Sequence, residues 1–134
     1  MPVRRREPVW LSRIVVDAAH TDQVREHGGL AGVRDENILE SALARFHHKW
    51  LYENDADLAT LAAAYGFGLV KNHPYRDGNK RIGFLAMVTF LEVNGHDFDA
   101  SDSDVLTMML ALADGRVSER QLADWLRQHT TLAK

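Results

Sequence analysis

Two stretches of this chain, Leu58 to Val70 and Ile82 to Leu91, are apolar on nearly every side of a helix, and they constrain the fold more than any other feature. A helix with one apolar stripe can lie on a surface, whereas one that is apolar all round has to be enclosed. Both stretches therefore predict central, buried helices, with the rest of the chain wrapped around them. At 134 residues there is enough chain to do this once and not twice, so a single domain over residues 1–134 is expected. The connection between the two helices is His73-Pro74-Tyr75-Arg76-Asp77-Gly78-Asn79-Lys80-Arg81. Unpaired charge is costly to bury. A loop at the centre of a helical core that gathers a histidine, an aspartate, a lysine and two arginines is expected to line a cleft that a charged ligand fills.

The loop can be read residue by residue. Pro74 disfavours helical geometry at His73, so the first central helix should stop near Asn72 and leave the imidazole at its mouth. Gly78 permits a tight turn or a close backbone approach. The second helix should then start at about Asn79, with Asp77 or Asn79 as its N-cap. Its first N–H groups, together with Lys80 and Arg81, make an anion site of a helix N-terminus and two cations, suited to phosphates. Asp77, beside bound phosphates, is placed to hold Mg²⁺, which takes one or two carboxylates and fills its shell from phosphate oxygens. His73 could take the proton of a hydroxyl that attacks the phosphorus, since imidazole is the side chain that most readily exchanges a proton near neutrality. A purely structural reading stays open for each residue alone: Asp77 and Asn79 as helix caps, His73 bonded to a backbone carbonyl. In this order and spacing they point to a base, a metal ligand and a phosphate clamp within nine residues.

Residues 73–81 resemble the signature of the Fic/Doc superfamily, H-x-F-x-[DE]-G-N-[GK]-R, with Tyr75 in place of the usual Phe. Two further stretches resemble Doc-like members. Gly28-Gly29-Leu30-Ala31-Gly32-Val33-Arg34-Asp35 follows their G-G-L-x-G-[IV]-R-[DN] segment and leads into Ile38-Leu39-Glu40-Ser41-Ala42-Leu43, like their L-L-E-S-A-L helix. Phe90-Leu91-Glu92-Val93-Asn94-Gly95 follows their F-L-x-x-N-G. Within the superfamily, enzymes of the Fic type that transfer AMP generally carry Gly where this chain has Lys80, and a second Arg where it has Phe84. Lys at the first of these positions is the habit of the Doc (death-on-curing) branch.

The resemblance thus implies a toxin of a toxin–antitoxin pair, which transfers the γ-phosphate of ATP to a threonine of elongation factor Tu and stops translation. In this chain it implies a protein Ser/Thr kinase with His73 as general base, Asp77 as the Mg²⁺ ligand, and Gly78, Asn79, Lys80 and Arg81 around the ATP phosphates. The alternatives are an AMP transferase of the Fic type, against which Lys80 and Phe84 speak, and a catalytically silent antitoxin-binding member. Against the latter stand the intact His73, Asp77, Lys80 and Arg81. The implied partner is a Phd-type antitoxin whose C-terminal segment folds into a helix in an apolar groove beside the first helix. The inhibitory pattern [ST]-x-x-x-E-[GN] of many Fic enzymes has no match in the chain, so self-inhibition by that device is not expected.

The remaining sequence reads as further helices. One should run from Pro8 or Val9 to about Glu26, with Trp10, Ile14, Ala18 and Val24 toward the core and Gly28-Gly29 as its stop. His20 and His27 on or near it are read as structural. A second should open at Asp35, burying Ile38, Leu39, Ala42 and Leu43. Arg45 to Asp57, with Phe46, His47, His48, Trp50 and Tyr52, shows no clean helical period. It is expected as a loop covering the core or, from the resemblance, as a short β-hairpin flap that takes up the target peptide as an added strand. Adjacent His47 and His48 would face opposite sides of such a strand, so no zinc site is expected there. A turn at Asn94-Gly95, a helix from Ser101 or Ser103 to about Ala113 and another from Ser118 to about His129 complete the pattern. The expected class is all-α, about six helices around the buried pair, and the Fic/Doc arrangement of them follows from the resemblance. Arg4, Arg5 and Arg6 read as a solvated terminus.

Composition removes several classes. With no cysteine there is no disulfide and no thiol chemistry, which suits a cytoplasmic protein. A formal net charge of -3 speaks against direct nucleic-acid binding as the main function. No apolar run is long enough for a signal sequence, and no membrane span is expected.

Overall fold

Among the described residues, each helix but one begins where a short polar side chain takes up a backbone N–H group. The structure, a computed structural model, describes residues 6–133 and so leaves Arg4 and Arg5 of the basic run outside the described residues. The elements are α1 (Arg13–His27), α2 (Glu36–Tyr52), α3 (Leu58–Asn72), α4 (Asn79–Val93), β1 (His96–Phe98), α5 (Asp102–Ala113), α6 (Glu119–Gln128) and β2 (Thr130–Leu132). Ser12, Asp35, Asp57, Ser101 and Ser118 cap α1, α2, α3, α5 and α6, each through a side-chain oxygen that accepts a backbone N–H. Only α4 has no capping side chain; Gly78 stands at its N-cap in the left-handed region.

The all-α expectation holds, and the two apolar stretches are the central pair. Of α3, Leu61 through Gly66 and Gly68 through Val70 are buried, and α4 buries Ile82, Gly83, Ala86, Met87, Phe90 and Leu91. α2 and α6 pack on α3, α1 on α4, and α5 on both. The small side chains of the pair let the helix backbones come close. A Cβ built on Gly83 would stand 2.6 Å from Val70 Cγ2 and 3.4 Å from the Gly66 carbonyl. Alanine at Gly83 should therefore lose more from overpacking than it gains in helix propensity. We expect Gly83→Ala to destabilise by about 1–2 kcal/mol and to lower the melting temperature by several degrees, read by circular dichroism.

Three expectations need correction. The first helix starts at Arg13 rather than Pro8 or Val9, because Ser12 caps it there. Packed on α4, the helix buries Val16 and His20 and leaves Ile14 81% exposed, while Trp10 precedes the helix and packs on Phe46, His47 and Phe90. Second, residues 45–52 belong to α2 and no hairpin forms between 45 and 57. The spacing Leu39, Leu43, Phe46, Trp50 continues one helical face, and the charged and histidine side chains on the outer face hid it. Third, the strands lie elsewhere: β1 and β2 pair antiparallel in the register His96 with Leu132 and Phe98 with Thr130. They are three residues each and distant in sequence, so no periodicity could betray them.

α6 is tied to the start of α3 by a second use of the Asp57 carboxylate. Arg127 donates to it from Nε at 2.7 Å and from Nη2 at 3.0 Å, and Thr60 donates its N–H and hydroxyl. Partial burial pushes this carboxyl up, but the Arg127 and Thr60 bonds outweigh it and hold its pKa at about 2. A carboxyl more acidic folded than unfolded stabilises the fold above about pH 4, and that stability is lost as the pH falls toward 2. The pair is half exposed and screened, so its share is about 1 kcal/mol. Urea unfolding at pH 5 and pH 2.5 should show that extra loss in the native protein and not in Asp57→Asn, which keeps the cap.

Candidate functional site

The uncapped start of α4 is where the sequence's polar loop comes to rest. Neither residue expected to cap the helix does so, because both are engaged elsewhere. Asp77 Oδ2 accepts the Leu30 N–H at 2.8 Å. Asn79 is buried, its Oδ1 accepting the Tyr75 N–H and its Nδ2 donating to the Tyr75 carbonyl, both at 3.0 Å. The first N–H to find a helical acceptor is that of Ile82, on the Gly78 carbonyl at 2.9 Å. The N–H groups of Asn79, Lys80 and Arg81 therefore keep the partial positive charge of a helix N-terminus.

His73 ends α3 with φ 48° and ψ 56°, the only non-glycine positive φ among the described residues. That conformation is held by Arg34, which donates from Nε to the His73 carbonyl at 2.7 Å and from Nη2 to the Asn72 carbonyl at 2.9 Å. The chain before α2 lies along the loop: the Pro74 carbonyl accepts from Arg34 at 2.7 Å and from Asp35 at 3.2 Å, and Arg76 donates to Gly32 at 3.0 Å. Val33 and Tyr75 form an isolated antiparallel bridge between them. The extended wall of the site is thus residues 32–35, not the region after Arg45.

Beneath the loop is a buried support. Tyr75 is 2% exposed and its hydroxyl donates to Asp17 Oδ1 at 2.6 Å. Burial, and then the carboxylate of Asp17, push the phenol pKa up and keep it protonated. Arg13 holds Asp17 at 3.1 Å and reaches Glu36 and Glu40 of α2, each at 2.6 Å. His20, 2% exposed, stacks on the Tyr75 ring with centroids 3.8 Å apart, its Nε2 2.6 Å from the Asp77 carbonyl oxygen.

These contacts open a cavity of about 250 Å³ bordered by His73, Asp77, Gly78, Asn79 and Lys80, with Arg34 and Arg76 at its wall. Three cations against one carboxylate make it a place for a multiply charged anion. Lys80 also borders an apolar pocket of about 450 Å³ lined by Phe84, Phe98, Val105 and Met109. Of the residues expected in the site, His73, Asp77, Gly78, Asn79 and Lys80 come together. Asn79 offers only its backbone, its side chain being spent on Tyr75. The side chain of Arg81 stands beside Gly78 but outside the lining of that cavity; it donates to the Gly28 carbonyl at 3.2 Å and lines the apolar pocket.

Arg34, Tyr75 and His20 also build the site, beyond the residues that the sequence pattern points to. The sequence signal for Arg34 is the G-G-L-x-G-[IV]-R-[DN] pattern that contains it; His20 is 57 residues from its partner and nothing local marks it. Among the described residues no group of three or more histidines and carboxylates could hold a metal. A single carboxylate, Asp77, whose Oδ1 has no hydrogen bond among the described residues, fits an ion that completes its shell from phosphate oxygens and water, as Mg²⁺ does. No helix is long and apolar enough to cross a membrane among the described residues.

Residues 10–91 match the model of the family described as the Fic/DOC family. The chain is also 39% identical to a curated relative, "Toxin Doc" of Mycolicibacterium smegmatis, over 93 residues that cover 65% of this chain and 71% of the relative. The family match takes in the whole of the cavity described above.

Proposed function

The chain belongs to the Fic/DOC family, and from that footing we propose that it is a Doc-type toxin. In this reading it is a cytoplasmic protein kinase that moves the γ-phosphate of ATP to a threonine or serine hydroxyl of a translation factor. The expected target is elongation factor Tu, and the expected partner a Phd-type antitoxin. The observation that carries the reading is that His73, Asp77 and Lys80 border one cavity at the uncapped N-terminus of α4. The printed name of the relative, a toxin, agrees with it.

His73 takes the proton of the target hydroxyl as its oxygen bonds to the γ-phosphorus, and the bond to the β–γ bridging oxygen breaks, releasing ADP. Lys80 and the N–H groups of Asn79 and Lys80 hold phosphate oxygens and offset the charge that develops on them. Arg34 and Arg76 add positive charge at the cavity wall. Asp77 would hold Mg²⁺, which when bound neutralises phosphate charge. The apolar pocket that shares Lys80 has the size and lining that suit a purine base. Lys80 and Phe84 stand where AMP-transferring Fic enzymes have Gly and Arg, which favours γ over α transfer.

The test uses the purified protein, Mg²⁺ and elongation factor Tu, with ATP labelled at the γ or the α phosphate. Label arriving from the γ position alone supports the kinase. Label arriving from the α position overturns it and makes the protein an AMP transferase.

A further inference from the structure

Gly78 stands between a carbonyl that is held from one side and a cavity on the other. The Asp77 carbonyl oxygen lies 2.6 Å from His20 Nε2. A carbonyl only accepts, so Nε2 is the ring nitrogen that carries a proton and donates it. In a planar trans peptide the carbonyl of one residue and the N–H of the next point in opposite directions, and no described peptide is cis. With the Asp77 carbonyl turned to His20 on α1, the Gly78 N–H is turned away from α1. Gly78 borders the His73 cavity and His20 does not, and the Gly78 N–H has no acceptor among the described residues.

We propose that His20 is a positioning residue that locks the Asp77–Gly78 peptide with its N–H aimed into the cavity, adding one backbone donor for a bound phosphate group to those of α4's first turn. The lock is needed because of what Gly78 is. Rotation of that peptide changes φ of Gly78, and glycine accepts either sign of φ at little cost, so the φ of 75° is not selected by the residue itself. No capping side chain selects it either. His20 can select it because its own orientation is fixed by burial and by the stack on Tyr75. Tyr75 in turn is pinned at its hydroxyl by Asp17 and at its backbone by Asn79. His20 lies outside the cavity lining, which separates its task from that of His73.

The inference rests on the phosphate-binding reading of the cavity, and its test does not need turnover. In the ¹⁵N-labelled native protein, the imidazole shifts of His20 should show Nε2 protonated, and an Nε2 without a proton overturns the proposal. On titration with inorganic tripolyphosphate, the Gly78 amide should respond along with those of Asn79 and Lys80. His20→Phe keeps a stacked ring and loses the donor; it should bind tripolyphosphate roughly 10- to 100-fold more weakly, the size of one charge-assisted hydrogen bond, and lose the Gly78 response. His20→Gln, whose amide N–H can reach the Nε2 position, should restore both. An unchanged Gly78 response in His20→Phe, or no restoration in His20→Gln, overturns the lock. Should the Phe variant fail to fold, the native tautomer and the Gln variant decide. A Gly78 response as expected, with no label passing from ATP, sinks the kinase reading and leaves the lock standing.

Discussion

Replacing His73 by alanine or by asparagine is expected to slow transfer of the γ-phosphate by about 10²- to 10⁴-fold, the ordinary share of a positioned general base. The two variants separate chemistry from backbone. His73 sits at φ 48°, where asparagine is at ease and alanine is not, so Asn should keep the native melting temperature and Ala should lose a little of it. Both lack a group able to take the hydroxyl proton. The side chain is exposed and makes no hydrogen bond within the described residues, so nothing in the fold depends on it. Phosphate binding, measured with a non-hydrolysable ATP analogue, should stay near native in both, since the donors that hold it belong to α4 and Lys80. Equal transfer rates in native protein and both variants would remove His73 from the mechanism, whatever else the cavity does.

The second large effect concerns stability, and it falls on a residue that lies among the phosphate-binding ones in sequence. Asn79→Leu should destabilise the protein by about 2–4 kcal/mol, because it strands the buried N–H and carbonyl of Tyr75 at once. Asn79→Asp can still accept from the Tyr75 N–H but cannot donate to its carbonyl, and should lose roughly half as much. Urea unfolding of the three proteins measures both. The physical logic is that a loop between buried helices must satisfy its own backbone, and the paired bonds between the Asn79 amide and the Tyr75 backbone do so without water. If Asn79→Leu kept its stability and lost only nucleotide affinity, the amide would have to face the phosphate, against the geometry described here.

The apolar pair was legible without coordinates because full burial leaves a compositional mark: Leu61 to Val70 and Ile82 to Leu91 contain almost nothing that water needs to reach. The stop of α3 before Pro74 and the start of α4 at Asn79 were legible as well, since proline and glycine act on the backbone locally. The all-α class followed from the same local signals. α2 beyond Arg45 was not legible, because Phe46 and Trp50 keep the helical beat while His47, His48 and Lys49 between them obscure it. Nor was the face of α1, which is chosen by its packing on α4 and buries Val16 and His20.

What the sequence by itself determined, then, is that His73, Asp77, Gly78, Asn79 and Lys80 lie together at the junction of two enclosed helices, since nine consecutive residues cannot be separated far by any fold. What only the tertiary structure decided is which atoms face the cavity. Asn79 turns its amide inward to Tyr75 and Arg81 turns its guanidinium to Gly28. Arg34 grips the end of α3, and His20 reaches the Asp77 carbonyl. Apart from Asn79, whose partner Tyr75 is four residues away, those choices are made by hydrogen-bond partners 38 to 57 residues away. Side-chain direction depends on which polar group is left unsatisfied once the helices have packed, and no local spacing records that.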